Sequence, residues 1–218
     1  MGSSNLLQHG HTKVNDISSR TGFTTDKTST YIRKLLEMDI LEKETPVTDG
    51  VSSKRTFYKL SDNLFNFWYA FIFNNITALE FGESGKVLSK FVKPELENFV
   101  FSTFEDICKE FILINPTANL PFVPEQVGKL WGPEISSSNK VSLIAISESN
   151  AFFIDCVWGE TPIDLEFLEE LKQKASTYKN FSNKYYGIFS KSGFTSELKT
   201  YAKEHLYIYL YDLDNICS

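Results

Sequence analysis

Apolar positions near the start of the chain fall into two short helical groups. Val14 and Ile17 share one face, and Ile32, Leu35 and Leu36 share another. Thr12 is placed to cap the first helix, which runs through Arg20 and stops at Gly22, the residue that best tolerates a left-handed turn. Thr24 or Thr25 caps the second, which runs to about Met38. Asp39 follows at the exit, where Asp adopts positive φ more readily than most residues. The period then changes to two. Ile40-Leu41-Glu42-Lys43 and Thr56-Phe57-Tyr58-Lys59-Leu60 read as partner strands around a polar loop, Pro46 to Arg55. Helix, tight turn, helix and ribbon predict a winged helix-turn-helix over residues 1–61. Only Asn5-Leu6-Leu7-Gln8 precedes the helices, so the first helix of that motif is truncated. This is expected of a piece of a longer protein, or of a reduced start.

Asp62 is a good N-cap for a third helix. Leu64, Phe65, Trp68, Tyr69 and Ile72 keep helical spacing, and Phe67, Phe71 and Phe73 widen the stripe. An apolar surface that wide predicts a buried connecting helix within residues 62–93. Gly82 to Gly85 is a turn and Lys86 to Phe91 a short helix. From Pro94 a stripe of Leu96, Val100, Phe104, Ile107, Cys108 and Phe111 predicts a long helix to Ile114. Strands are expected at Gln126–Trp131, Val141–Ile146 and Phe152–Trp158, then a helix capped by Asp164 and a strand Tyr185–Phe189. A helix capped by Thr195 and a strand Leu206–Tyr211 complete the chain. The order αβββαβαβ contains strand-helix-strand crossovers, so residues 94–218 should form a mixed sheet covered by helices. The fold class is therefore α/β, or α+β overall.

Composition narrows the function. The chain has 218 residues, 42% apolar and 23% charged, with a net charge of −6, which argues against a protein that coats nucleic acid by being basic throughout. The charge is uneven: residues 1–62 carry +1 and the remainder −7. No apolar run is long enough to cross a membrane. Three scattered cysteines exclude a disulfide framework, so a reducing, cytoplasmic setting is expected; Cys108 and Cys156 read as core residues. His9 and His11 are too weak a pair to imply a metal.

On the second helix, Lys27, Thr30, Tyr31 and Lys34 lie opposite the apolar face, where a recognition helix meets the major groove. Lys54 and Arg55 in the loop are candidates for phosphate contact. The bland alternative is that all six are ordinary solvated residues of a protein-contact module.

The order αβββαβαβ is also that of the PD-(D/E)XK restriction-endonuclease-like fold. Several stretches carry a closer resemblance: Tyr58-Lys59-Leu60-Ser61-Asp62, Phe67-Trp68-Tyr69-Ala70-Phe71, Phe104-Glu105-Asp106-Ile107-Cys108, Gly128-Lys129-Leu130-Trp131-Gly132 and Phe189-Ser190-Lys191-Ser192-Gly193-Phe194. In order and spacing the chain resembles the C-terminal region of an archaeal and bacterial family of AAA-type ATPases. In that family a P-loop ATPase domain precedes a winged helix and a nuclease-like domain of unknown function. The resemblance implies a Mg²⁺ site of two strand carboxylates, a lysine two residues after the second, and a helix Glu. Glu105 stands at the helix position and Asp155 at the second carboxylate. Ser142 replaces the first carboxylate, and Val157 replaces the lysine. Lys140 and Lys174 are the available substitutes. There is no Walker loop, GxSxG or HExxH.

The expectation is thus a non-catalytic module with a degenerate nuclease-like domain, needing no metal or cofactor. It would bind double-stranded DNA or a protein, in cis or in trans with an AAA-type ATPase domain. One alternative is a Mg²⁺-dependent DNA nuclease with a relocated lysine. Another is a protein-interaction or homodimerisation domain presenting residues 64–73.

Overall fold

A computed structural model describes residues 13–49, 53, 55–114, 120–131 and 139–217. It divides the chain into two compact units, Met1–Thr45 with Val51–Phe99, and Pro46–Gly50 with Val100–Ser218. The aromatic segment within 62–93 lies inside the first unit.

In the first unit, α1 (Val14–Thr21) ends at Gly22, whose φ is 70°. The Thr12 cap lies outside the described residues, as do His9 and His11; the residue preceding α1 is Lys13. Thr24 caps α2 (Thr25–Glu37) by accepting from the Lys27 N–H. Asp39 leaves α2 at φ 55°. Strands β1 (Leu41–Glu44) and β2 (Phe57–Leu60) pair antiparallel, with Leu41 opposite Leu60. Asp62 caps α3 (Asn63–Phe67) by accepting from the N–H groups of Leu64 and Phe65. A π-helical turn (Trp68–Ile72) and a 3₁₀ turn (Phe73–Asn75) lead into α4 (Ile76–Glu80). Gly82 turns the chain at φ 80°, and α5 (Ser84–Val87) runs into a second π-helical turn, Leu88–Val92.

The expectation of a buried connecting helix is corrected here. Phe71 is buried, but Leu64 is 71% exposed and Phe73 54%. Periodicity shows that a helix is apolar on many sides; it does not say that each side has a neighbour.

Helix α6 (Leu96–Ile114) leads into the second unit, whose strands are β3 (Gln126–Gly128), β4 (Leu143–Ser147), β5 (Asn150–Val157), β6 (Asn183–Ser190) and β7 (Ile208–Asp212). They form one mixed sheet in the order β3-β4-β5-β6-β7. The first three are antiparallel; β5, β6 and β7 run parallel through crossovers by α7 (Leu165–Ser176) and α8 (Ser196–Glu204). Asp164 and Thr195 cap these two helices as expected. A last helix, α9 (Leu213–Cys217), has no counterpart in the sequence pattern. Strands β3 and β4 are shorter or later than their patterns suggest, because the flanking apolar residues Leu130 and Val141 are buried without joining a strand.

Alternation on β5 builds the core. Ala151 and Phe153 pack under α7 and α8 with Leu168, Leu171 and Leu198. Phe152, Ile154 and Cys156 pack against Phe104, Cys108 and Ile112 of α6 on the other face. The cysteines are core residues as expected.

Candidate functional site

Asp155 follows Ala151 and Phe153 on the α7 face of β5, and it is buried. A buried carboxylate is costly unless its charge and both its oxygens are satisfied. Both are satisfied here. Oδ2 accepts from Lys174 Nζ at 2.7 Å, and Oδ1 accepts from the Ser142 backbone N–H at 2.9 Å. Lys174 stands in the last turn of α7, and the strand-to-helix crossover brings it back over β5. Burial, and secondarily the charge of Asp155, push the Tyr178 hydroxyl above its ordinary pKa; that hydroxyl donates to the Asn139 carbonyl at 3.1 Å.

Glu105 approaches from the α6 side. Its Oε2 lies 2.7 Å from Lys129 Nζ, and both side chains are largely buried. Lys129 follows β3, and its carbonyl accepts from the Val47 N–H within the same unit. Each of the two carboxylates is thus paired with its own lysine, Glu105 with Lys129 and Asp155 with Lys174. Among the described residues no group of three or more His, Cys, Asp or Glu is placed to hold a metal ion. Burial, then a hydrogen bond with Cys108, then the charges of Cys108, Glu105 and Asp155, push the Cys156 thiol well above its ordinary value.

Ser142 contributes its backbone N–H at the position where the resemblance implies a carboxylate. Val157 ends β5, and its carbonyl accepts from the Lys191 N–H. The Lys191 amine is drawn instead to Glu160, across the Trp158 ring. Lys174 is thus the lysine beside Asp155, while Lys140 is exposed. Sequence reasoning missed the pairing of Glu105 with Lys129. Their separation of 24 positions leaves no local signal, though Lys129 stands inside the Gly128–Gly132 stretch that carries part of the resemblance.

In the first unit, Thr28 and Ile32 of α2 point inward and are buried, while Lys27, Thr30, Tyr31 and Lys34 are exposed. Lys27 Nζ lies 4.1 Å from the centre of the Phe23 ring, and that ring packs on Tyr31 with centroids 5.7 Å apart. The Thr30 hydroxyl donates back to the Asp26 carbonyl at 3.0 Å. Among the described residues no carboxylate pairs with Lys27 or Lys34. Arg55 is half-buried and engaged, and Lys54 lies outside the described residues. On the ribbon, Lys59 is taken up by Glu42 at 2.8 Å and Glu44 at 3.3 Å. Of the candidate DNA-contacting cations that are described, Lys27 and Lys34 of α2 are exposed and Arg55 is not.

Residues 68–184 match the DUF234 family, described as archaeal and bacterial proteins of unknown function. Over 219 aligned residues the chain is 26% identical to MJECL04, an uncharacterized protein of Methanocaldococcus jannaschii, covering 96% of this chain and 46% of that protein. The chain thus spans about half the length of the curated relative it matches. No solved structure matches it.

Proposed function

The chain belongs to the DUF234 family of archaeal and bacterial proteins of unknown function, and we propose that it is a non-catalytic module that contacts double-stranded DNA. In this reading the first unit is a winged helix, and α2 enters the major groove by its N-terminal half. The second unit is a nuclease-like fold in which the two acids that remain at the chemical positions, Glu105 and Asp155, are held in ion pairs. The carrying observation is the outward face of α2, where Lys27 and Lys34 are exposed and free of carboxylates among the described residues. Phosphate contact by two such lysines gives salt-sensitive binding despite an acidic chain. An AAA-type ATPase domain, in cis or in trans, is the proposed companion, on the strength of the resemblance to that ATPase family.

One observation favours a second reading. The Lys174 amine is 2.7 Å from Asp155, which is where a relocated nuclease lysine would need to stand. Against it, Ser142 offers no carboxylate and Glu105 is held by Lys129.

Fluorescence anisotropy of labelled duplex DNA at two salt concentrations, with Mg²⁺ present and the DNA afterwards run on a gel, separates these readings. Expected are salt-dependent binding, intact DNA, and a salt slope shallower by about 2 in Lys27→Glu/Lys34→Glu, one for each phosphate no longer neutralised. Unchanged affinity in the double variant removes the DNA contact. Cut DNA, with cutting lost in Asp155→Asn, establishes the nuclease.

A further inference from the structure

A lysine on a helix surface is a compact charge on a flexible stem, able to neutralise any phosphate within its reach. To read a base it must also hold one direction. The two exposed lysines of α2 differ in this respect. Lys27 Nζ stands 4.1 Å from the centre of the Phe23 ring, whereas Lys34 has no aromatic partner among the described residues. A cation over a ring face is attracted by the ring's quadrupole, and that attraction limits where the amine can go.

The ring is itself held. Gly22, at φ 70°, turns the chain between α1 and α2. The Ser18 hydroxyl of α1 donates to the Phe23 carbonyl at 2.7 Å, and the Phe23 N–H donates to the Thr21 hydroxyl at 3.4 Å. Tyr31 packs on the ring from α2, with centroids 5.7 Å apart. Lys27 and Tyr31, four residues apart on the helix, are neighbours on one face, and Phe23 lies against both. Phe23 is 40% exposed and Tyr31 47%, so the pair lies at the surface, beside the amine.

Direction matters as much as restraint. Side chains on a helix lean toward its N-terminus. Phe23 precedes α2, so the ring draws the amine toward the end that enters the groove. Side chains at that end meet base edges, and a lysine there pairs with the O6 and N7 acceptors of guanine. An ammonium has three donors, so pairing with a base leaves it able to offset a phosphate as well. On the reading that α2 contacts DNA, we infer that Phe23 is a positioning residue that aims Lys27 at a guanine in the major groove, while Lys34 serves phosphate alone.

Fluorescence anisotropy of the whole chain tests this with two probes: a mixed-sequence duplex, and the same duplex with 7-deazaguanine in place of guanine. The replacement removes N7 and keeps every phosphate and base pair. The natural duplex should bind about fivefold tighter or more. Phe23→Leu keeps an apolar side chain beside Tyr31 and should bring the two affinities together, with the salt slope retained because both lysines remain. Phe23→Trp should preserve the preference, since Trp is the best ring for a cation. Lys27→Met should abolish it, whereas Lys34→Met should keep it and make the salt slope shallower by about 1. Melting curves show which variants fold. Should Phe23→Leu not fold, a preference that survives Lys27→Met overturns the inference. Salt-dependent binding without a preference overturns the inference and leaves the DNA contact standing, as does a preference unaltered in Phe23→Leu or lost equally in Phe23→Trp. Affinity that responds neither to salt nor to Lys27→Glu/Lys34→Glu overturns the contact, and the inference with it.

Discussion

Gly187 on β6 shows how closely this core is filled. A Cβ there would lie 2.5 Å from Phe152 Cζ and 3.3 Å from Ile154 Cγ1. All these atoms belong to the central strands, so little can yield. Gly187→Ala should cost about 2–3 kcal/mol, read as a lower urea midpoint at unchanged slope. Asp155 is the other residue with a defined cost. Removing its lysine leaves a buried carboxylate without a counter-ion, while Lys174 is itself one-quarter exposed. Lys174→Met should therefore destabilise by about 1–3 kcal/mol at neutral pH, less than for a fully buried pair. Asp155→Asn/Lys174→Met should recover much of that loss, because the neutral amide still accepts from the Ser142 N–H. If the double variant is no better than the single one, the charge of Asp155 is not what Lys174 balances.

At the scale of elements, β6 and β7 carry a bank of tyrosines. Burial pushes the hydroxyls of Tyr186, Tyr209 and Tyr211 above their ordinary range, and the neighbouring Tyr185 and Tyr209 add to the effect on Tyr209 and Tyr211 respectively. Tyr178 and Cys156 shift the same way. A group whose pKa is raised by folding stabilises fully below its unfolded value, and the gain is lost as pH climbs through the folded one. With unfolded values of about 8.5 for Cys and about 10 for Tyr, the loss sets in above about pH 9. Lys184, lowered by burial, works in the opposite sense but is a single group. The melting temperature should be flat near neutrality and fall steeply in alkali, with tyrosinate absorbance appearing together with unfolding. Tyrosines that titrate before the fold is lost would refute this. Elements are also where sequence is most legible. Thr24, Asp62, Asp164 and Thr195 all accept from backbone N–H groups near the start of their helices, because capping is settled within a few residues. Strand ends are less legible, since burial of Leu130 and Val141 looks the same in sequence whether or not a ladder continues.

For the whole molecule, the order of helices and strands in the second unit is legible, because crossovers leave alternating periods in the chain. The candidate site is half legible. Glu105 and Asp155 can be named from local stretches, but the lysines that neutralise them come from positions set by the sheet and its crossovers. Nor does the charge division locate the units. Pro46–Gly50, which the pattern assigns to the ribbon's loop, belongs to the second unit; Val47 is buried in that unit's core with Leu130 and bonds to the Lys129 carbonyl.

That short excursion bears on how such a protein is inherited. A domain entered and left once can be moved between genes at a single junction. Here the chain passes into the second unit at Pro46, back at Val51, and out again after Phe99. Any one breakpoint that removes the first unit strands a strip of the second, and the reverse holds equally. Fusion to other genes is open at the ends of the block but not at its middle. The two units are expected to be gained, duplicated and lost together, and a lineage that retains one of them without the other should be rare.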